Sequence, residues 1–311
     1  MTHLCRKLND MEHTSNSSGH VMIGRYADIL SDRWFQRSFG TNQFKRLTEL
    51  LLQLLIPEHK IKSISFEPQV HINPNDSDKD IRVDVECTDE DGTRFMVEMQ
   101  LAPQKGFYER AIFNSSFAVQ EQIQQGATVY TYSPVYFIGI LNFAIHKNSN
   151  QVLYRYMLKE STTGEVMSGN LQYLFLELPN CEKGDSNMET LIDKVCYSLR
   201  NMSKMDEIPA GWENEEIIKL LYRSAEISKF TAKERSKYIF DMTTKRDIEN
   251  QIQYAAEIGM EKGMEKGMEK GMEKGMEKGI EQTARNLKTL DVTPETIAKA
   301  TGLTLEAIAD L

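Results

Sequence analysis

Residues 81–100 constrain this chain more than any other stretch, because they alternate with a period of two on both sides of a polar turn. Val83, Val85 and Cys87 share one side of the first segment, with Arg82, Asp84 and Glu86 on the other. In the second, Phe95, Val97 and Met99 share a side, and Met96, Glu98 and Gln100 take its opposite. Asp89, Glu90, Asp91 and Gly92 supply the turn. Such a pattern forms a hairpin with one fixed register, since a slip of one residue would turn every side chain to the wrong face.

Folded about Asp91, the hairpin sets Asp84 across from Glu98. Opposed side chains have Cβ atoms roughly 5 Å apart. Two carboxylates that close can grip one hard divalent cation, with bonds of about 2.1 Å for magnesium. Without an ion, their repulsion raises one of the two pKa values. The other reading of the pair is two ordinary polar residues on the wet face of a hairpin. Apolar neighbours on both sides of Glu98 favour a covered strand, and the following residues lead into a helix carrying Arg110, Asn114, Gln122 and Gln125.

An Asp, a hairpin and then Glu-X-Gln resembles the core of the PD-(D/E)XK nucleases. More narrowly, the chain resembles the PD-(D/E)XK nuclease family transposases, related to the recombination-promoting nucleases. The matching pieces run in order: Arg25-Tyr26-Ala27-Asp28, residues 32–40 ending Phe39-Gly40, Asp84-Val85, Asp91-Gly92, and residues 95–100. Gln104-Lys105, Arg110, Gly126, Tyr130, Pro134-Val135, residues 138–143 and Leu176-Glu177-Leu178-Pro179 complete the set.

The resemblance implies an α/β fold with a restriction-endonuclease-like mixed central sheet flanked by helices, followed by a helical C-terminal region. It implies a metal-dependent DNA endonuclease, with Mg²⁺ or Mn²⁺ held by Asp84, Glu98 and the Met99 carbonyl. Asp32 stands where the family places a third acid; an Asp near a helix start is also an ordinary cap. The residue two after the Glu, often Lys in the superfamily, is Gln100, whose amide can orient a water but cannot act as a base. Arg110 and Lys105 are the nearest cations for DNA phosphates, or else partners in surface salt bridges. The Phe-Lys expected after Asp32 reads Phe35-Gln36, so Arg37 is the substitute cation there. The alternative is a catalytically inactive DNA-associated or self-assembling module that keeps the fold.

At 311 residues, 40% apolar and 27% charged, the chain suits a large globular domain with an appendage. No run approaches the ~20 apolar residues of a membrane helix, so no membrane partner is expected. The polar start lacks the apolar core of a secretory signal. Cys5, Cys87, Cys181 and Cys196 have no paired spacing, which points to a reducing, cytoplasmic setting. A net charge of −9 excludes a broadly basic nucleic-acid coat. Residues 51–100 hold eleven acids against five bases, so a phosphate backbone needs metal or a basic rim to approach.

Five parts are expected: a disordered start at 1–21, a nuclease-like core at 22–185, an accessory helical region at 186–258, a repeat at 259–282 and a two-helix module at 283–311. Within the core, residues 28–55 read as helix broken at 39–42, its second part burying Leu47, Leu50, Leu51, Leu54 and Leu55. A strand is expected at 61–70, a turn-rich connector at 73–79, a helix at 106–125 and a central strand at 135–143. Alternating strands at 152–159 and 171–178 flank a turn at Thr163-Gly164. Residues 187–257 read as helical throughout.

Gly259 opens five consecutive Gly-Met-Glu-Lys units. At 3.6 residues per turn a period of four drifts about 40° per unit, so the methionines form no straight stripe. Each glycine costs roughly 1 kcal/mol relative to Ala in a helix, and the i,i+4 pairs Glu261–Glu265 and Lys262–Lys266 are like-charged. A breathing helix or spacer is expected. Beyond it, Thr293 and Thr304 cap two short helices around Gly302. They resemble a helix-turn-helix core, but residues 305–311 carry no Arg or Lys, which favours an interaction module. Self-association through the repeat and this tail is the expected oligomer contact, with DNA the expected substrate.

Overall fold

The computed structural model describes residues 24–67, 83–182 and 190–311. The expectations for residues 1–21 and 73–79 lie outside those residues. The chain divides into a first unit ending at Ile239 and a second from Phe240 to Leu311.

In the first unit, helix α1 (Asp32–Phe39) starts later than residue 28. Residues 25–28 are extended instead, with Ala27 N–H donating to the Ala225 carbonyl at 2.8 Å and Asp28 N–H to the Tyr238 hydroxyl at 2.9 Å. These bonds hold the backbone away from its own helix. A 3-10 turn, Asn42–Phe44, leads into α2 (Lys45–Leu55). Its buried stripe is Leu47, Leu51 and Leu55 together with Thr48 and Leu52, so Leu50 and Leu54 fall at the margin and are half-buried.

Strand β1 (Ile64–Phe66) is shorter than 61–70. Strands β2 (Val85–Asp89) and β3 (Arg94–Gln100) form the hairpin. Its turn is fixed by Asp89, whose Oδ1 accepts from Asp91 N–H at 3.0 Å and Thr93 N–H at 2.8 Å, while Gly92 takes the left-handed conformation at φ +81°. Val85 then pairs with Val97 and Cys87 with Phe95.

Helix α3 (Phe107–Gln120) ends before residue 125. There Gln122 turns back, donating to the Ala118 carbonyl at 3.0 Å and accepting from Ser133 N–H at 2.8 Å. Strand β4 (Val135–Leu141) is buried along its whole length. Strands β5 (Leu153–Lys159) and β6 (Val166–Glu177) form a hairpin around Gly164, at φ +73°. Strand β6 begins earlier than 171 because pairing continues past a bulge to Lys159 opposite Val166.

The sheet order is β1-β2-β3-β4-β6-β5. The β3–β4 and β4–β6 pairs are parallel and the outer pairs antiparallel. This is the expected α/β fold with a mixed central sheet. Helix α3 covers one face, packing Phe107, Ala111 and Ala118 among Met96, Phe137 and Phe175. Burial of an aromatic this size contributes about 1.5–3 kcal/mol, which fixes α3 against the sheet. Toward the other face, Gly40 at the end of α1 lies against Val85.

The region from 187 to 257 is not one continuous helical stretch. Helices α4 (Leu191–Asn201) and α5 (Glu216–Ala225) are separated by residues containing Pro209 and Gly211, the latter at φ +83°. Proline lacks the N–H a helix needs, and a positive-φ glycine turns the chain out of it. Helix α5 joins α1 and α2: Ser224 Oγ donates to Ser38 Oγ at 3.0 Å, and Arg46 reaches Glu216 at 3.1 Å. Trp34 of α1 stacks on Phe230 with ring centres 4.9 Å apart.

Helix α6 (Ala232–Thr289) begins in the first unit and carries the repeat in the second. The Gly-Met-Glu-Lys units are therefore helical, with methionines 68–76% exposed. Helices α7 (Pro294–Thr301) and α8 (Leu305–Ala309) follow. Thr304 caps α8, accepting from Ala307 N–H at 3.2 Å. Thr293 occupies the corresponding place before α7, but its hydroxyl pairs with Thr296 Oγ1 at 2.9 Å instead of a backbone N–H. Ala284, Ile297 and Ile308 make a small separate core. Among the described residues no helix is long and apolar enough to cross a membrane.

Candidate active site

The end of β3 gathers the site. Continuing the Val85–Val97 register by one residue puts Asp84 opposite Glu98. Asp84 stands just outside β2, however, in a bend, and its Oδ2 accepts from Met99 N–H at 2.7 Å. The carboxylate thus takes the hydrogen bond that the strand, having stopped at Val85, no longer supplies. In a strand the C=O of a residue points to the same side as its N–H, so the Met99 carbonyl is directed toward Asp84 as well.

Glu98 is 9% exposed. Its Oε1 accepts from Arg110 Nη2 at 2.5 Å, while Oε2 is buried with no hydrogen-bond partner. The same Nη2 donates to Gln100 Oε1 at 2.6 Å, and Arg110 Nη1 donates to Gln104 Oε1 at 2.6 Å. Residues 98 and 100 project from one face of β3, and Arg110 reaches both from the first turn of α3.

Burial sets the electrostatics. Desolvation pushes Asp84 from 3.8 to about 6; the Met99 N–H and Arg110 oppose this, and the charge of Asp32 adds to it. Desolvation likewise pushes Glu98 from 4.5 to about 7, against Arg110 and with the help of Asp84 and Asp32. Two acids that resist ionisation at one strand end are costly unless a cation joins them.

The other sequence candidates distribute unevenly. Asp32 is exposed at the start of α1, where its side chain makes no cap bond. Its charge reaches both Asp84 and Glu98, yet among the described residues no three ligating side chains converge into a metal cluster. Lys105 is exposed in the turn before α3. Arg37 is not brought to the pair. It donates to Glu234 Oε1 at 2.7 Å and to the Ser224 carbonyl at 2.6 Å, under the ring of Phe230. It is a strut between helices, and the phosphate contact expected of it is not available to a side chain so engaged.

Gln104, which grips Arg110, was not singled out by the sequence as a site residue; its spacing of six from Arg110 across a turn carries no signal. The donor set of Asp84, Glu98 and the Met99 carbonyl is all hard oxygen, and the orphaned Glu98 Oε2 is an open valence within it. These residues fit a Mg²⁺- or Mn²⁺-type ion, with Arg110 the cation now beside Glu98.

A mixed sheet ending in paired buried acids, with a helix-borne arginine over them, is the frame of a nuclease-like α/β protein. The model of the PD-(D/E)XK nuclease family transposases matches residues 29–255, and the chain belongs to that family. No curated protein and no solved structure matches it.

Proposed function

We propose that the chain is a metal-dependent DNA endonuclease of a transposase or recombination-promoting type, hydrolysing phosphodiester bonds with Mg²⁺ or Mn²⁺. The observation that carries this reading is the buried Asp84–Glu98 pair, with its unpartnered Glu98 Oε2. Family membership supports it, because nucleases of this kind generally use divalent metal ions. Asp84, Glu98 and the Met99 carbonyl hold the ion, and Asp32 contributes its charge from α1. When bound, the ion lowers the pKa of a water and offsets charge on the phosphate. Gln100 orients the attacking water through its amide. Arg110 leaves Glu98 for a phosphate oxygen, and Lys105 adds a cation at the rim of the same turn.

A second reading has its own observation. Arg110 already neutralises Glu98 and Gln100, as in a site where arginine has replaced the ion. On that reading the chain is a catalytically inactive, DNA-associated or self-assembling module. Incubating purified protein with supercoiled plasmid in Mg²⁺, Mn²⁺ or EDTA separates the two. Nicking in either metal and none in EDTA is the expected result; intact plasmid under all three conditions favours the inactive module.

A further inference from the structure

Helix α3 presents Arg110 to the acidic pair and, two residues earlier, Tyr108 to a different place. Positions two apart on a helix differ by about 200°, so the two side chains leave opposite sides of α3. On the Tyr108 side lies a cavity of about 510 Å³ lined by Tyr108, Ile112, His146, Tyr156, Tyr173 and Phe175. Its volume falls in the range of small-molecule sites, roughly 300–1,000 Å³.

The cavity is aromatic and has a fixed polar edge. His146 Nδ1 meets Glu177 Oε1 at 2.6 Å. Glu177 is fully buried, and its Oε2 accepts from Asn180 Nδ2 at 2.8 Å and from the backbone N–H groups of Ile145 and His146 at 3.1 and 3.2 Å. A carboxylate in that setting accepts, so the Nδ1 hydrogen points at it. The His146 Nε2 therefore faces the cavity side, 3.2 Å from the Tyr156 hydroxyl. The ring of His146 is stacked on Tyr154 at 3.8 Å. Tyr173 is held by Ser115 at 2.9 Å, while Tyr108 is 41% exposed and offers part of its ring to an incoming group.

Strand register ties this cavity to the acids. Glu98 pairs with Gly139, Gly139 with Phe175, and Phe175 with Tyr154. Directly paired residues share a face, so Glu98 and Phe175 lie in one row on the α3 side, two strands apart. At 4.7–4.9 Å per strand that is about 10 Å. Gly139 between them leaves the row open: a Cβ there would sit 2.8 Å from the Phe175 ring and 3.2 Å from the Phe107 ring. A nucleic-acid strand advances about 3.4 Å per nucleotide, so 10 Å is roughly three nucleotides.

We infer that this cavity is a nucleobase pocket, taking one unstacked base of a single-stranded DNA segment whose phosphate lies at Asp84 and Glu98. The inference rests on the nuclease reading for the position of the phosphate. Stacking against Tyr108 supplies sequence-tolerant affinity, and the His146 Nε2 with the tyrosine hydroxyls offers hydrogen bonds to the base edge.

The test uses the full chain and a fluorescein-labelled single-stranded oligonucleotide, with binding read by anisotropy in Ca²⁺. Removing one stacking partner by alanine substitution weakens single-strand binding roughly fivefold to a hundredfold. Tyr108→Ala is expected to do so, and Tyr108→Phe to bind as the wild type does. An abasic residue walked along the oligonucleotide should weaken wild-type binding at one position and leave Tyr108→Ala indifferent. Deoxyadenosine monophosphate should bind far more weakly than the oligonucleotide. Wild-type affinity in Tyr108→Ala, a flat abasic series or equal affinity for the mononucleotide overturns the pocket, while persistent metal-dependent plasmid nicking leaves the nuclease reading in place. Loss of both oligonucleotide binding and nicking in the wild type overturns the two together.

Discussion

At the scale of single residues, burial of Asp84 and Glu98 is the costly feature of the molecule. Both folded pKa values lie above their ordinary ones, about 6 against 3.8 and about 7 against 4.5. A raised carboxyl contributes stability that is complete below its unfolded pKa and is lost as pH rises through the folded one. The metal-free protein should therefore lose stability between about pH 4 and pH 7. Glu98→Gln, which cannot ionise, should flatten the upper part of that decline and be more stable than wild type at pH 8. Denaturant melts at pH 5 and pH 8 in EDTA check this; an identical pH slope in the variant contradicts it. Arg37 makes the opposite case. Arg37→Ala strands the Ser224 carbonyl and Glu234, and should cost about 1–3 kcal/mol in chemical denaturation without changing metal affinity measured by calorimetry.

The register of the acidic pair was legible in the sequence because it is local: a short Asp-Gly turn and strict alternation leave one way to fold residues 85–97. The position of Asp84 outside the strand was not, since it depends on where pairing stops. Nor was the commitment of Arg37, whose partners Glu234 and Ser224 lie about 190 residues away. The aromatic cavity was equally hidden, because its walls come from α3, β5 and β6. Only the alternation of Tyr154 with Tyr156 and of Tyr173 with Phe175 hinted at a ring-lined face.

Among the elements, the interruptions were harder to read than the elements themselves. Leu191, Val195 and Leu199 announce α4, and Ile217, Leu220 and Leu221 announce α5. Pro209 and Gly211, which separate them, were outweighed by the helical periodicity on either side. The repeat presents the reverse case: glycine every fourth residue argues against a stable helix, yet α6 runs through all five units. A Cβ at Gly263, Gly267 or Gly271 meets nothing within 4 Å. Replacing these three with Ala should therefore add about 1 kcal/mol of helix stability each, read as increased ellipticity at 222 nm and a higher melting temperature for the helical signal. Unchanged helicity would show that the repeat is already held by something other than its own backbone, such as a second copy of the chain.

For the whole molecule, every residue proposed for the chemistry lies before Gly126, and the first unit ends at Ile239. Tyr238, which is buried and bonded to Asp28 N–H, is the last side chain that the first unit needs from α6. A chain ending at Glu257 should keep its fold by circular dichroism and keep any cleavage activity. Loss of activity from a folded truncation would assign the tail a part in assembling the active form. The central claim is that Asp84 and Glu98 act as one metal-holding unit, and plasmid nicking in Mn²⁺ by Asp84→Ala, Glu98→Ala and the double variant tests it most directly. Both single variants should lose nicking, and the double variant should be no worse than either, because residues acting together are not additive. Undiminished nicking by Asp84→Ala would contradict the account.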